Sequence, residues 1–435
     1  MRPVLALLSL TLVLCLGAVA AEPQSTTPQG SLPTPNPAQA VSTNEGVTAN
    51  EIVLGMSAPF KGASRGLGIE LYRGSMAYLA EINSAGGVRG RKITLKAYDD
   101  GYQPDQAVKN SLKLMQDDHA FLLFDYVGTP TVTRVLPVLK KFDSLHFLLF
   151  FPFTGAQPQR EAPYDKLAVN LRASYRQETD GLVQNFLSTG RSRIAVFYQA
   201  DAYGRSGWVG VRQALATHGQ KMVGEATYAR GTKFTASFDR QVAILQESQP
   251  DAVISIGAYE ACAGFIRDAR KAGLTVPIAN VSFVGSESML KLLTDAGHDD
   301  NKDYTVNLVN SQVVPSYENL SMASVREYRD LMAKHKPVAP AALAGSDYTP
   351  LPQSFVSLEG FLNAKLIVEV LNRLGDRPQR SRIADAVNSI HGFDLGMGTP
   401  LSFSAQRNQA SDAIYYTTVR EGRFVTIRDW KEWAK

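Results

Sequence analysis

The feature that most constrains this chain is an alternation of short apolar runs with amphipathic segments, and it occurs twice along the sequence. Apolar runs of this kind, bounded by turn residues, are typical of strands buried in a parallel sheet. The first series of predicted strands lies at residues 51–56, 92–98, 121–126 and 146–151. The second series lies at residues 193–198, 221–228, 251–256 and 278–283.

Helical spacing separates these runs. In the first intervening segment Ile69, Tyr72, Met76 and Leu79 follow one another at intervals of three or four residues, which predicts an amphipathic helix. Further helices are predicted at residues 104–117, 132–142, 203–218, 238–247, 259–273, 354–374 and 380–390. Strands that alternate with helices predict an α/β fold with parallel sheets, whose ligands bind beyond the carboxyl ends of the strands.

The N-terminus predicts export. A basic start is followed by an apolar run at residues 4–16 and by Ala18-Val19-Ala20, a pattern typical of a cleavable signal peptide at residues 1–20. The apolar run is too short to cross a bilayer. Residues 21–46 are rich in Pro, Ser, Thr and Gln, which predicts a disordered linker.

Composition argues against several kinds of partner. Lys and Arg total 45 against 41 Asp and Glu, and no basic cluster of the type that binds phosphates occurs, so we expect no nucleic-acid partner. The two cysteines, Cys15 and Cys262, supply neither a disulfide framework nor a cysteine-rich metal site. Cys262 lies among apolar residues of a predicted helix, where we expect a core thiol.

Catalytic motifs are weak. Gly62-Ala63-Ser64-Arg65-Gly66 fits the pattern G-x-S-x-G, but a nucleophile elbow needs a strand that leads directly into the turn, and residues 57–61 intervene. A secreted hydrolase therefore stays a remote alternative, which loss of activity in Ser64→Ala would support. We predict no catalytic residues, no metal and no cofactor.

Six short segments carry a resemblance to a known family. Residues 81–93 (EINSAGGVRGRKI), together with Asp99-Asp100 and residues 103–107 (QPDQA), resemble the Leu/Ile/Val-binding family of type I periplasmic solute-binding proteins. Residues 172–175, 201–207 and 357–361 are similar to later parts of that family. The resemblance covers about residues 50 to 425.

This resemblance implies a particular architecture. Two Rossmann-like lobes with parallel sheets are joined by a three-crossing hinge, and one small-molecule solute binds between them. We expect lobe one to comprise residues 47–173 and 316–398, and lobe two residues 175–312 and 399–435. The implied partner is an inner-membrane ABC permease with its ATPase subunits, and the implied state is a periplasmic monomer.

The implied function has an alternative that the sequence leaves open. The closed form of such a protein can be presented to a receptor kinase or chemoreceptor instead of a permease. Genes for a permease and an ATPase next to this one would favour transport, and an adjacent kinase gene would favour sensing.

Candidate ligand contacts on lobe one follow two predicted strands. Gly128, Thr129 and Thr131 match the loop that binds a carboxylate in the family, where a helix begins and its amides can hold an anion. Thr154 and Gly155 match the other backbone contact of the family. The alternative for both loops is structural, since threonines also cap helices and glycines form turns.

Candidate contacts on lobe two are mainly aromatic. Tyr175, Tyr203, Tyr259 and Phe283 all lie after predicted strands, where aromatic rings can cover an apolar or planar solute. Each ring on its own is equally suited to the protein core. We expect Tyr203 and Tyr259 to be the main pair.

Ser282 marks a departure from the family. Amino-acid binders place an acid in this loop, where it pairs with the ammonium group of the ligand, and a buried ammonium without such a partner is costly. Either Glu260, Asp201 or Asp125 replaces the missing acid, or the solute has no ammonium. If the solute has no ammonium group, we expect it to be a carboxylate, an amide or an aromatic acid.

Overall fold

Two β-sheets organise the chain in the computed structural model, which describes residues 45–435. The predicted signal peptide and all but the last two residues of the predicted linker lie outside the described residues. The first sheet comprises β1 (Glu51–Ala58), β2 (Lys92–Asp99), β3 (Leu122–Phe124), β4 (Leu149–Phe150) and β5 (Ala168–Val169). The second comprises β6 (Ile194–Gln199), β7 (Gly224–Tyr228), β8 (Ala252–Ile256), β9 (Ile278–Asn280), β10 (Leu308–Gln312), β11 (Tyr415–Arg420) and β12 (Arg423–Thr426).

The strands of the first sheet are ordered β2-β1-β3-β4-β5, and those of the second β12-β11-β10-β9-β8-β6-β7. All pairs in the first sheet are parallel. We call the part of the protein built on the first sheet lobe one and the part built on the second sheet lobe two. The predicted α/β fold with two sheets is confirmed, and most strand pairs of the second sheet are parallel as well.

Thirteen α-helices are described alongside the strands. They are α1 (Arg65–Ser84), α2 (Pro104–Gln116), α3 (Thr129–Lys141), α4 (Tyr175–Ser188), α5 (Ala202–Thr217), α6 (Asp239–Glu247), α7 (Tyr259–Lys271), α8 (Ser286–Asp300), α9 (Ala323–His335), α10 (Ala341–Ala344), α11 (Phe355–Arg373), α12 (Ile383–Asn388) and α13 (Trp430–Trp433). Within residues 45–435, no helix combines the length and the hydropathy that a membrane span requires.

Helices pack against the sheets, and the inner strands β3, β8 and β9 are buried at every residue. Every residue of β8 is buried, as expected for a strand between two helical layers. Cys262 in α7 is buried as predicted, and its sulfur accepts a hydrogen bond from the Ser255 hydroxyl of β8 at 3.2 Å.

Some predicted elements are shorter than the sequence suggested. The strand predicted at residues 146–151 is only β4, because His146 and Phe151 on either side adopt positive φ angles of 56° and 51°. The strand predicted at residues 278–283 ends at Asn280, and a 3₁₀ turn at Ser282–Val284 follows it. The helix predicted at residues 380–390 is likewise divided into a 3₁₀ turn and α12.

The C-terminal segment contains an element that the sequence did not predict. Strands β11 and β12 form an antiparallel hairpin, and β11 pairs antiparallel with β10, so the second sheet is mixed. Before this hairpin the chain still runs beside the first sheet, where the Ala410 N–H donates to the Asn170 carbonyl at 2.9 Å. Lobe two was expected to begin again at residue 399, and this contact places residue 410 beside lobe one. The other lobe boundaries remain predictions.

Candidate functional site

The two candidate loops of lobe one lie side by side. They follow β3 and β4 at the carboxyl edge of the sheet, and the Gly128 N–H donates to the Phe153 carbonyl at 3.2 Å. The hydroxyl oxygens of Thr129 and Thr154 are 2.6 Å apart. Gly128, Thr129, Thr154 and the adjacent Gly155 are therefore close together, at the edge where ligands of parallel sheets bind.

Thr131 has a different local role. Its hydroxyl donates to the carbonyls of Val127 and Gly128, at 2.5 and 2.8 Å. The Thr131 hydroxyl therefore donates its proton to the backbone at the start of α3. This agrees with the structural alternative, in which the threonine stabilises the helix start.

The aromatic residues of lobe two meet an aromatic residue of lobe one. The ring centroids of Tyr175 and Tyr203 are 5.2 Å apart, and those of Tyr203 and Phe283 are 4.5 Å apart. Phe153 of lobe one lies 5.4 Å from Phe283. Distances of this size are those of interacting aromatic pairs, so the rings form a continuous group that joins the lobes.

Tyr102 also belongs to this group, although it was not among the ligand contacts predicted from the sequence. It follows β2 with a φ of +62°, and its ring centroid is 6.0 Å from that of Phe283. We call Tyr102, Phe153, Tyr175, Tyr203 and Phe283 the interlobe aromatic cluster. The rule that ligands bind beyond the carboxyl ends of strands would have pointed to Tyr102 as well.

Tyr102 also explains why position 128 is a glycine. Gly128 has a φ of +101°, a conformation that glycine adopts without steric cost. A Cβ atom at this position would collide with the Tyr102 ring. The glycine thus allows the ring to lie directly against the loop that carries Thr129.

Tyr259 joins the lobes at a separate place. Its hydroxyl accepts a hydrogen bond from the Gly66 N–H at 3.2 Å, and Gly66 lies in the first turn of α1. Burial raises the pKa of Tyr259 to about 12, so the hydroxyl is neutral. Tyr259 is therefore an interlobe contact outside the aromatic cluster.

Ser282 holds a carboxylate that comes from another element. The Ser282 N–H and hydroxyl donate to the Glu178 carboxylate at 2.8 and 2.9 Å. The Ser311 hydroxyl donates to the same carboxylate at 2.7 Å. The carboxylate beside Ser282 thus comes from Glu178 in α4. It already accepts three hydrogen bonds.

Arg172 completes a buried ion cluster with Glu178 and Glu359. Its guanidinium donates to the Ser282 hydroxyl and lies 3.8 Å from Glu178 and 3.5 Å from Glu359. The Arg172 side chain is only 1% exposed. Burial opposes its charge, but the two neighbouring carboxylates hold the pKa of Arg172 above its ordinary value.

This buried ion cluster adjoins the aromatic cluster. The Arg172 guanidinium lies 4.6 Å from the ring centroid of Phe153 and 5.9 Å from that of Tyr175, within the range of cation–π contacts. Burial also raises the pKa of Glu359 to about 7. Charged and aromatic side chains are therefore combined in one buried region between the lobes.

The three acids that were considered as replacements at position 282 have partners elsewhere. Asp125 accepts a hydrogen bond from the Ser75 hydroxyl at 2.6 Å. Glu260 accepts one from a backbone N–H at 3.0 Å. Asp201 pairs with Arg230 at 3.2 Å. Each carboxylate thus has a role in its own part of the structure.

A groove opens between the lobes beside Thr129. Its volume is about 310 Å³, and its walls come from Thr129 and Ala156 on lobe one and from Arg176, Ala202 and Val209 on lobe two. Thr129 contributes to the wall of this groove although it is only 1% exposed.

The G-x-S-x-G motif does not form a nucleophile elbow. Strand β1 ends at Ala58, and Ser64 lies in the turn that precedes α1. A nucleophile elbow requires the serine at the sharp turn between a strand and a helix, so the geometry of this turn gives the motif no support.

The two α/β lobes and the residues gathered between them define the class of type I periplasmic solute-binding proteins. Comparison with known proteins agrees, since residues 51–423 match the family model described as periplasmic binding protein. The chain belongs to this family, and proteins named as Leu/Ile/Val-binding, which its sequence motifs resemble, are among its relatives. Proteins of this family are periplasmic.

Individual relatives cover different shares of the chain. An amino acid binding protein of Pseudomonas aeruginosa is 28% identical over 230 residues, which is 52% of this chain and 59% of that protein, less than two thirds of its length. The Leu/Ile/Val-binding protein homolog 7 of Brucella abortus is 23% identical over 394 residues, covering 87% of this chain and 91% of the relative.

A solved structure is similar over nearly the whole described chain. The possible leucine/isoleucine/valine-binding protein of Rhodopirellula baltica superposes with a TM-score of 0.77 at 29% identity, covering 91% of this chain and 99% of that one.

Proposed function

We propose that this protein captures a small amino acid, amide or carboxylate in the periplasm by closing its two lobes around it. It then delivers the solute to an inner-membrane ABC permease with its ATPase subunits. The observation that carries the proposal is the convergence of both lobes on one aromatic cluster. A solute bound there contacts both lobes at once, so its binding free energy favours the closed form.

The chemistry of the cleft suits a small solute with one polar end. The lobe-one loops offer the hydroxyls of Thr129 and Thr154, and the aromatic cluster offers apolar ring faces. Binding pockets of this kind combine an apolar lining with a few polar groups that fix orientation. The names of the relatives, which refer to amino acids and to leucine, isoleucine and valine, agree with a solute of this size.

A thermal-shift screen of the purified protein tests the proposal. The panel contains amino acids, amides, dicarboxylates and aromatic acids. A ligand at one hundred times its Kd should stabilise the protein by about 2.7 kcal/mol. If no solute in the panel stabilises the protein, the proposed function is wrong.

A pair of variants tests whether the stabilising solute binds in the cleft. Thr154→Val removes a hydroxyl that lies between the lobes, and Thr189→Val removes one at the far end of α4. We expect the first variant to bind the solute more weakly and the second to bind it normally. Equal binding by both variants would contradict the cleft as the binding site.

Uptake of the labelled solute by cells that lack the protein tests delivery. We expect uptake to fall in these cells and to return when the gene is restored. Normal uptake, combined with loss of a transcriptional or chemotactic response to the solute, would favour the sensory alternative.

A further inference from the structure

We infer that Arg172 and the Tyr175 hydroxyl bind the carboxylate of the solute, and that the solute carries no α-ammonium group. This inference rests on the proposed function and narrows it to a class of ligand: apolar or aromatic carboxylates. Tyr175 was predicted from the sequence as a ligand contact through its ring, whereas Arg172 was not among the candidates.

The first support is a set of buried donors without acceptors. Arg172 Nε and the Tyr175 hydroxyl are buried and have no acceptor of acceptable geometry, and Arg172 Nη1, which also lacks a hydrogen bond, lies 3.5 Å from the Glu359 carboxylate. The Thr154 side chain and the Gly155 backbone interact with the Tyr175 oxygen and favour its ionised form, as hydrogen-bond donors do, so they supply no acceptor for the Tyr175 proton. Buried donors nearly always find an acceptor in folded proteins. The oxygen atoms of a bound carboxylate would supply acceptors for these groups.

The second support is that the rest of the guanidinium is already fixed. Arg172 Nη2 donates to the Ser282 hydroxyl, and the same hydroxyl donates to Glu178. This link holds the arginine from the lobe-two side without using Nε or Nη1. Nε and Nη1 are therefore held in place before a solute arrives, Nη1 with the Glu359 carboxylate 3.5 Å away, which reduces the entropy lost on binding.

The third support is that a ligand cation has no place in the cluster. The guanidinium of Arg172 already lies against the rings of Phe153 and Tyr175. Glu178 accepts three hydrogen bonds and pairs with Arg172. An ammonium group in this region would meet the buried positive charge of Arg172 and would compete with it for Glu178 and Glu359, the two carboxylates already paired with Arg172, a costly arrangement.

Glu359 allows the site to accept an additional negative charge. The charged groups that face Glu359 are Arg172, Arg160 and Glu178. Burial raises the pKa of Glu359 to about 7, so this carboxyl can take up a proton when an anion binds beside Arg172. A carboxylate should accordingly bind more tightly at pH 6 than at pH 8.

The aromatic cluster suits the body of such a ligand. Tyr102 and Phe153 of lobe one face Phe283 of lobe two across the cleft, with ring centroids 6.0 and 5.4 Å apart. A planar or branched apolar group inserted between these rings would replace their contacts with contacts of its own. The carboxylate of the ligand would then point toward Arg172, beside the Phe153 ring.

Titration calorimetry with matched pairs of solutes tests the inference. Isocaproate is leucine without its amino group, and hydrocinnamate is phenylalanine without its amino group. We expect at least one of these acids to bind no less than tenfold more tightly than its amino acid. Hydrocinnamide, which lacks the negative charge, should bind at least tenfold more weakly than hydrocinnamate.

Two variants connect the result to the named residues. Tyr175→Phe removes only the hydroxyl and should weaken binding of the acid at least threefold. Tyr304→Phe, a matched control whose hydroxyl pairs with Asp300, should leave it unchanged. Arg172→Gln should abolish binding of the acid, and if that variant does not fold, the Tyr175→Phe result decides the assignment.

The outcomes separate this inference from the proposed function. Tenfold tighter binding of leucine or phenylalanine than of the matched acid would overturn the inference and leave the proposed function standing. The inference is also overturned, and the proposed function again stands, if an amino acid stabilises the protein while neither isocaproate nor hydrocinnamate binds. Equal binding of the acid by Tyr175→Phe and the wild type would overturn the assignment of the hydroxyl.

Discussion

Replacing Glu178 by glutamine tests the buried ion cluster that this residue forms with Arg172 and Glu359. The substitution keeps the shape of the side chain but removes its charge. Its carboxylate accepts hydrogen bonds from the Ser282 N–H, the Ser282 hydroxyl and the Ser311 hydroxyl. It also lies 3.8 Å from Arg172. A glutamine amide keeps one acceptor oxygen and turns the other into an NH₂ group, which cannot accept.

The expected cost follows from these contacts. Hydrogen bonds to charged groups contribute about 1.5–3 kcal/mol each, and the variant loses or weakens all three. Removal of one partner from a buried ion pair costs about 3–5 kcal/mol, because the remaining charge stays buried. We therefore expect Glu178→Gln to lower the free energy of unfolding by about 3–5 kcal/mol, a large part of the 5–15 kcal/mol typical of folded proteins.

Urea denaturation followed by circular dichroism measures this free energy. Glu161→Gln is the matched control, because Glu161 pairs with Arg176 at 3.4 Å while its side chain is 54% exposed. Exposed ion pairs of this kind contribute at most about 1 kcal/mol. If Glu178→Gln costs less than about 1 kcal/mol, or no more than the control, the account of the buried ion cluster is wrong.

Two further predictions concern Gly128 and the dependence of stability on pH. Gly128→Ala should lower the free energy of unfolding by at least about 1 kcal/mol more than Gly86→Ala. Gly128 and Gly86 have similar positive φ angles, 101° and 102°, but only Gly128 is covered by a side chain, the Tyr102 ring. Equal losses of stability in the two variants would contradict this packing. Burial raises the pKa of Glu359 and Asp100 to about 7 and that of Glu287 to about 8. Because these acids bind protons more tightly in the folded state, the free energy of unfolding should fall as the pH rises from 5 to 8. Glu359→Gln should reduce this dependence on pH. If the free energy of unfolding, measured by urea denaturation, falls as steeply with pH in the variant as in the wild type, the raised pKa assigned to Glu359 is wrong.

Much of the fold could be predicted because it depends on local patterns. Strands β1, β2 and β6 and helices α2 and α5 begin and end within a few residues of their predicted bounds, since each has its own apolar periodicity. The β11–β12 hairpin was missed because its strands are only partly buried and lack a continuous apolar run.

The ion cluster shows what the sequence could not provide. Arg172, Glu178 and Glu359 are ordinary charged residues in the sequence, and only the folded chain brings Glu359 within 3.5 Å of Arg172. Ser282 was identified as the position of a missing acid, but the carboxylate that reaches it comes from a helix more than 100 residues earlier in the chain. Such contacts have no local signal.

A crystal structure of the protein with the solute that stabilises it most would test the central claim most directly. We expect electron density for the solute between Phe153 of lobe one and Phe283 of lobe two, in contact with both lobes. Density for the solute on a single lobe, or only in the outer groove beside Arg176, would contradict the account.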